Sequence, residues 1–279
     1  MPQENSNSQP WDIWSAECYG QTVAPFVAAL TDTIQEWLNP QPTDEILDIG
    51  CGEGALTAKL ATNVKRIVGV DASANMITAF QHTYPHVLSR VVDCRFLGRE
   101  KDLTSAGFDK VFSNAAMHWI LRDAATRTDI MRACFAALKP GGVIVSESGG
   151  LGNVAEVHAA LIGELIHRGV TPERAREVSP WWFPSLEMMK ALVEEAGFKW
   201  IRGEVELRQT KLTEVEGGGI KGWVQLFGAN FLEELKSDSE REEAVKNVVE
   251  ALEGVGRRQH DGGFSINYIR LRFEAQKPV

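Results

Sequence analysis

The chain has 279 residues, 44% hydrophobic and 24% charged, the proportions of a globular protein rather than of a disordered, fibrous or disulfide-built one. Its 29 basic residues against 38 acidic ones give a net charge of −9, which is unsuited to holding a phosphate backbone, so nucleic acid is not an expected partner. Cys18, Cys51, Cys94 and Cys134 show no C-x-x-C spacing and read as reduced thiols rather than as a metal or redox set. Residues 1–10 are polar and lack a signal-peptide core. The longest uncharged apolar run, 111–121, falls short of the ~20 residues that span a bilayer, so a cytoplasmic protein with no membrane partner is expected.

In chain order, Val23, Phe26, Val27, Leu30, Ile34 and Leu38 repeat at helical spacing and predict a helix over 23–38, within an N-terminal helical segment 11–38. Asn39-Pro40-Gln41-Pro42 ends it. Strands then fall at Glu45–Ile49, 66–70, 87–92, 108–113 and 143–147. Helices lie between them at Ala55–Ala61, at 73–81 with Ser73 as its cap, and at 123–138. Lys139-Pro140-Gly141-Gly142 is placed to stop a helix and start a strand. Runs such as Ile67-Val68-Gly69-Val70 and Val143-Ile144-Val145 are apolar throughout, as strands covered on both sides should be.

Past residue 150 the pattern becomes helical: 154–168, 171–178, and 185–196, capped by Ser185 and stopped by Gly197. A strand at 199–207, a helical region at 210–261 and a final strand at 265–275 complete the chain. The expected fold class is α/β: a doubly wound, mostly parallel seven-stranded sheet with helices on both faces, an antiparallel last strand and helical cap insertions. One domain is expected over 1–279, its core formed by 40–150 with 185–209 and 263–276. The cap comes from 151–184 and 210–262, with the helix 11–38.

Leu47-Asp48-Ile49-Gly50-Cys51-Gly52-Glu53-Gly54 follows a strand and opens a helix, so its backbone can turn tightly and approach a ligand. Its G-x-G-x-G spacing is shorter than the dinucleotide G-x-G-x-x-G, and suits a ligand without a pyrophosphate. Asp71 ends the second strand 21 residues after Gly50, where a carboxylate can accept hydrogen bonds from ribose hydroxyls; its alternative is a helix cap. Asp93, after the third strand, can reach an adenine amino group or serve as an ordinary loop acid. His82 and His86, separated by Pro85 and without a third ligand, read as surface residues, and no metal is expected.

These motifs resemble those of the seven-stranded S-adenosylmethionine-dependent methyltransferases. Asp48–Gly54 matches the family's first motif, Asp71 its ribose-binding acid, Asp93 its adenine-side acid and Asn114 its position after strand four. Lys139-Pro140-Gly141-Gly142 matches the turn before strand five. The resemblance implies a cofactor set of Tyr19, Asp48, Gly50, Cys51, Gly52, Asp71, Ala72, Met76, Asp93, Cys94 and Asn114. Further along, Trp14 with Tyr19, Met117-His118-Trp119, Phe183-Pro184-Ser185, Gly222-Trp223 and Tyr268-Ile269-Arg270-Leu271 look like the trans-aconitate methyltransferase branch. This implies a small-molecule acceptor oxygen, most simply a carboxylate, under a helical cap, in a monomer or homodimer.

The implied cofactor is S-adenosyl-L-methionine, released as S-adenosyl-L-homocysteine. Competing enzyme classes lack their signatures: no Tyr is followed four residues later by Lys, and the loop after strand four is Ser113-Asn114-Ala115-Ala116 rather than a Pro-Pro-aromatic one. A cofactor-binding scaffold without catalysis would carry the same motifs. Aromatic faces stabilise a sulfonium by ~0.5–2 kcal/mol each, so Trp14, Trp119, Trp181, Trp182 and Trp223 are candidates for the substrate pocket. His118, five residues beyond the fourth strand, is the candidate catalytic base, or else a group that binds the acceptor.

Overall fold

A computed structural model of the chain describes residues 31–279. Cys18, Trp14, Tyr19 and the predicted helix up to residue 30 lie outside them. Seven strands form one sheet: β1 Glu45–Ile49, β2 Arg66–Asp71, β3 Leu88–Val91, β4 Phe108–Asn114, β5 Leu138–Gly149, β6 Lys199–Lys211 and β7 Ser265–Gln276, in the order β3-β2-β1-β4-β5-β7-β6. The first five pair in parallel, and β7 runs antiparallel to both β5 and β6. This is the expected fold class.

Alternation along each central strand divides its side chains between two cores. Leu47, Ile49, Val68, Val70, Val111 and Ile144 face one side, packed beneath helices α5 (Arg127–Ala137) and α8 (Leu186–Glu195). Ile46, Ile67, Phe112 and Val145 face the other, under α1 (Asp32–Leu38), α2 (Ala55–Ala61) and α3 (Ala74–Thr83). Ser73 caps α3 as predicted, its Oγ accepting from the Met76 N–H at 3.1 Å, and Ser185 does the same for α8. The Lys-Pro-Gly-Gly break falls inside β5 rather than before it. Pairing jumps from Phe108↔Leu138 to Lys110↔Val143, so the intervening residues bulge, with Gly141 at φ 80°.

β6 runs on to Lys211, past its predicted end at 207, and that extra length builds the cap. β5 stops at the pair Gly149↔Arg270, whereas β6 and β7 continue together to Lys211↔Ser265. The overhang carries Leu212, Phe264 and Ile266 into a third core. Helices α6 (Ala155–His167), α7 (Pro172–Glu177), α9 (Gly219–Phe227), α10 (Ala229–Leu232) and α11 (Asp238–Gly256) close around it. The expected helix onset at 210 is delayed to 219 because this hairpin occupies the intervening chain. The short α4 (Met117–Ile120) follows β4.

A buried ion cluster ties the cap hairpin to the parallel sheet. Glu147 of β5 is 1% exposed and meets Arg270 Nε at 3.0 Å and Arg272 at 2.7 Å, with Arg208 at 3.4 Å. Arg272 also reaches Glu204 and Glu206. Burial opposes ionisation of Glu147, but the surrounding guanidiniums outweigh it and hold the carboxyl below the ordinary glutamate value. Removing the carboxylate leaves buried guanidiniums uncompensated, so Glu147→Ala is expected to lose ~3–5 kcal/mol in urea unfolding at pH 7. The contribution of a depressed carboxyl is present above its unfolded value of 4.5 and fades as pH falls through the folded one. The gap between wild type and variant should therefore narrow on acidification; a gap that is absent at pH 7 would contradict the assignment.

Candidate active site

The carboxyl ends of β1, β2, β4 and β5 share one edge of the sheet, beside the reversal in strand order between β1 and β4. Ligands of open α/β sheets bind at such a point. The loop after β1 is held there by close packing. Gly50, at φ 75°, is bonded through its N–H to the Val70 carbonyl at 2.8 Å, and a Cβ on it would fall 2.1 Å from the Cβ of Ala116. Gly52, at φ 57°, is different: a Cβ built there meets nothing within 4 Å. The backbone at Gly52 borders open space among the described residues, a cradle left beside the loop.

Asp71 closes that loop from β2. Its Oδ2 accepts from the Gly52 N–H at 3.0 Å and its Oδ1 from the Ser73 N–H at 2.9 Å. Asp48 is buried and accepts from Thr57 Oγ1 at 2.6 Å; burial pushes its carboxyl up to about 7, with Asp71 adding to the effect. Ala72 is half-buried, and Met76, buried in α3, lies beside them. Cys51 and Cys94 are held as thiols because burial raises both pKa values. Asp93 turns back on its own chain: its carboxylate accepts from the Arg95 N–H and pairs with the Arg95 guanidinium at 2.6 Å. Asn114, at the tip of β4, has a buried Oδ1 with no hydrogen-bond partner among the described residues. An orphaned acceptor at a strand tip fits a ligand that donates to it.

His118 is buried at the edge of this cleft. Gly149 donates its N–H to Nδ1 at 3.2 Å, so the neutral ring carries its proton on Nε2. Burial, reinforced by the charge of Arg270, pushes its pKa down to about 3. In this state His118 can donate through Nε2, while its one free lone pair is already used.

Three of the predicted tryptophans meet. Trp119, Trp181 and Trp223 form a chain of rings, with centroids 5.7 Å apart for the first pair and 6.0 Å for the second. Phe183 stacks on Trp181 and Phe227 packs against Trp223. Trp223 donates Nε1–H to the Tyr268 hydroxyl at 2.7 Å. Trp182 lies apart from them. It packs against the core beneath α5, with the Arg127 guanidinium 3.9 Å from its ring centroid. Adjacent residues on an extended segment point to opposite sides, which is why the Trp181-Trp182 pair divides.

Arg270 stood in the Tyr268–Leu271 stretch without a role of its own, and His158 was not singled out. Arg270 is 8% exposed and bonds Glu147 through Nε, while its terminal amino groups meet no acceptor among the described residues. His158 lies on α6 in the stripe Val154, His158, Leu161, Leu165, a helical spacing that was visible in the sequence.

A methyltransferase-domain family model matches residues 46–142. An uncharacterized methyltransferase of Schizosaccharomyces pombe is 34% identical over 96% of this chain and 99% of its own. The chain belongs to the S-adenosylmethionine-dependent methyltransferases. The trans-aconitate 2-methyltransferase of an Azoarcus strain is 27% identical over 78% of this chain and 83% of its own. Among solved structures, a Methanosarcina mazei S-adenosylmethionine-dependent methyltransferase shares the fold, with TM-score 0.55 at 17% identity over 90% of this chain and 99% of that one. Among the described residues, no helix of this methyltransferase is long and apolar enough to cross a membrane.

The two loop glycines should separate in experiment. Gly50→Ala must displace α4 and is expected to lower thermal stability markedly. Gly52→Ala should cost only the ~1–2 kcal/mol of a left-handed alanine, yet place a methyl in the cradle and abolish binding of S-adenosylhomocysteine. Equal behaviour of the two variants, by scanning calorimetry and titration, would contradict this division of labour.

Proposed function

We propose that this methyltransferase transfers the methyl group of S-adenosylmethionine to an oxygen, carboxylate or hydroxyl, of a small-molecule acceptor held beneath the cap. The observation that carries the reading is the open backbone at Gly52 locked to the β2 tip through Asp71. When bound there, the cofactor supplies a methyl group made electrophilic by the sulfonium. Asp71 is suited to the ribose hydroxyls, Asn114 to a donating group at its orphaned oxygen, and Asp93, Met76 and Cys94 to the adenine end. Asp48, Gly50, Cys51 and Ala72 shape the floor. No described residue needs to supply the methyl chemistry; the chain's task is alignment of the acceptor and exclusion of water.

Two donors serve that alignment. Nε2–H of His118 and the amino groups of Arg270, which meet no acceptor among the described residues, lie by the carboxyl end of β5. A guanidinium that is nearly buried, with most of its donors unmet, favours an acceptor carrying a negative group. The name of the Azoarcus relative, which denotes an acid, agrees with this. Trp119 and Trp181 offer the apolar wall against which the rest of the acceptor would lie.

Asp71→Ala is expected to weaken S-adenosylhomocysteine by ~1.5–3 kcal/mol in titration calorimetry, the value of charge-assisted hydrogen bonds to hydroxyls. Unchanged affinity would remove Asp71 from the site. His118→Ala should raise KM for any acceptor that the wild type methylates, with kcat less affected, because a donor that binds ground and transition states alike acts on KM. A large fall in kcat at unchanged KM would instead restore His118 as a base.

A further inference from the structure

The sheet ends differently on its two sides. β3, at one end, is four residues long, and its Arg90 is paired with Glu100 and Asp102. Short, charged edges of this kind discourage further pairing. β6, at the other end, runs for 13 residues without a proline and pairs with β7, with no strand beyond it among the described residues. Its outer side is a continuous row of backbone donors and acceptors on which another strand can be laid.

The register of β6 on β7 sorts its side chains. Beyond the irregularity at Trp200–Arg202, Gly203, Val205 and Leu207 share a face with Phe273, Leu271 and Ile269. Glu204, Glu206 and Arg208 share the other with Arg272, Arg270 and Tyr268. The first turn of α8 covers only the start of the apolar row: Leu186 Cδ1 lies 2.9 Å from where a Cβ on Gly203 would be. Past that turn Val205 is 51% and Leu207 64% exposed, and Met188 of the turn itself is 53% exposed. An apolar row of this kind, on a long free edge, marks a contact surface.

We propose that β6 pairs antiparallel with β6 of a second copy of this chain, about a two-fold axis at Leu207. The strand's own charges select that axis, because opposite charges facing each other across strands stabilise a pair and like charges oppose it. An axis at Val205 sets Glu204 against the partner's Glu206 and Arg202 against the partner's Arg208. An axis at Glu206 or at Arg208 sets that charge against itself, and one between residues breaks the match of the two pleats. At Leu207 every conflict disappears. Glu206 faces the partner's Arg208, Arg208 faces the partner's Glu206, and the most exposed apolar residue of the strand packs on its own copy. A two-fold pairing uses up both β6 edges, so assembly stops at two chains. Arg208 lies 3.0 Å from Glu206 and 3.4 Å from Glu147, so the contact falls on the ion cluster that ties the hairpin to β5. The second copy thus braces the hairpin that carries the cap.

Light scattering on the full chain at micromolar concentration reads the assembly directly. Wild type should show twice the 30.8 kDa of one chain, and Leu207→Glu, which places two carboxylates on the axis, should show 30.8 kDa. Oxidative cross-linking reads the register. Leu207→Cys should join two chains through a disulfide, since residues on the axis of an antiparallel pair have Cα atoms ~4.5–5.5 Å apart, within disulfide reach. Val205→Cys should give no more covalent dimer than wild type, because residue 205 and its copy would lie ~13 Å apart along the strands. Leu207→Cys keeps a small apolar side chain, so its result stands even where Leu207→Glu fails to fold. A wild type of 30.8 kDa, a Leu207→Glu form that stays dimeric, or cross-linking at 205 rather than at 207 would overturn the proposal.

Discussion

The carboxyl edge of the sheet depends on the absence of a side chain at residue 50. The loop after β1 lies directly against Ala116, and any Cβ at Gly50 would drive the two apart. Ala115 completes the contact in a left-handed conformation, φ 59°, with its N–H donated to the Glu147 carbonyl of β5 at 2.8 Å. A non-glycine residue in that region costs ~1–2 kcal/mol and persists only where its surroundings impose it. Three strand ends are thereby tied together: β1 through Gly50, β4 through Ala115 and β5 through Glu147. Asp71 adds β2 through the Gly52 N–H. The cradle at Gly52 is the space these contacts leave over, held by backbone contacts and by the Asp71 carboxylate.

The cap depends on a different device, and one with a cost. β6 and β7 overshoot the parallel sheet, so their far ends can nucleate a separate apolar core. Binding that hairpin to β5 places Glu147, Arg270 and Arg272 in the interior, where charges are tolerated only when paired. Arg272 is fully committed to Glu147, Glu204 and Glu206, whereas Arg270, one register step nearer the edge, is committed through Nε alone. The same cluster that fixes the hairpin thus leaves the terminal amino groups of Arg270 without an acceptor among the described residues. Above it, Trp181 and Trp223 are almost wholly buried and fill the cap core, so their first contribution is to packing. Trp119 and Phe183 are only partly buried against that core.

Most of the fold was legible because parallel strands and their helices are written locally. β1 and α2 lie at the predicted residues, since short apolar runs bounded by Gly and Asp leave few alternatives. The Ser73 and Ser185 caps were equally plain. Less legible was anything set by a partner distant in the chain. The length of β6 follows from its pairing with β7, more than 50 residues later, and the delayed onset of α9 follows in turn. Trp182 looked like its neighbour Trp181 in sequence, and only the path of the segment sends it to Arg127. In the site, the glycine loop and Asp71 could be read because their spacing carries the geometry. The tautomer of His118 could not: it is decided by the Gly149 N–H, 31 residues away. Glu147, Arg270 and His158 were visible only as polar residues in apolar patterns, a signal that marks interest without naming a role.

The central claim is that the Gly52 cradle, closed by Asp71, is where this methyltransferase holds its methyl donor. A crystal structure of the full chain with S-adenosylhomocysteine tests it most directly. The account predicts density along the backbone of residues 50–54, with the ribose at Asp71, a donor of the ligand at Asn114 Oδ1 and the sulfur facing the space between His118 and Trp119. Density elsewhere on the molecule, or a ribose remote from Asp71, would contradict it.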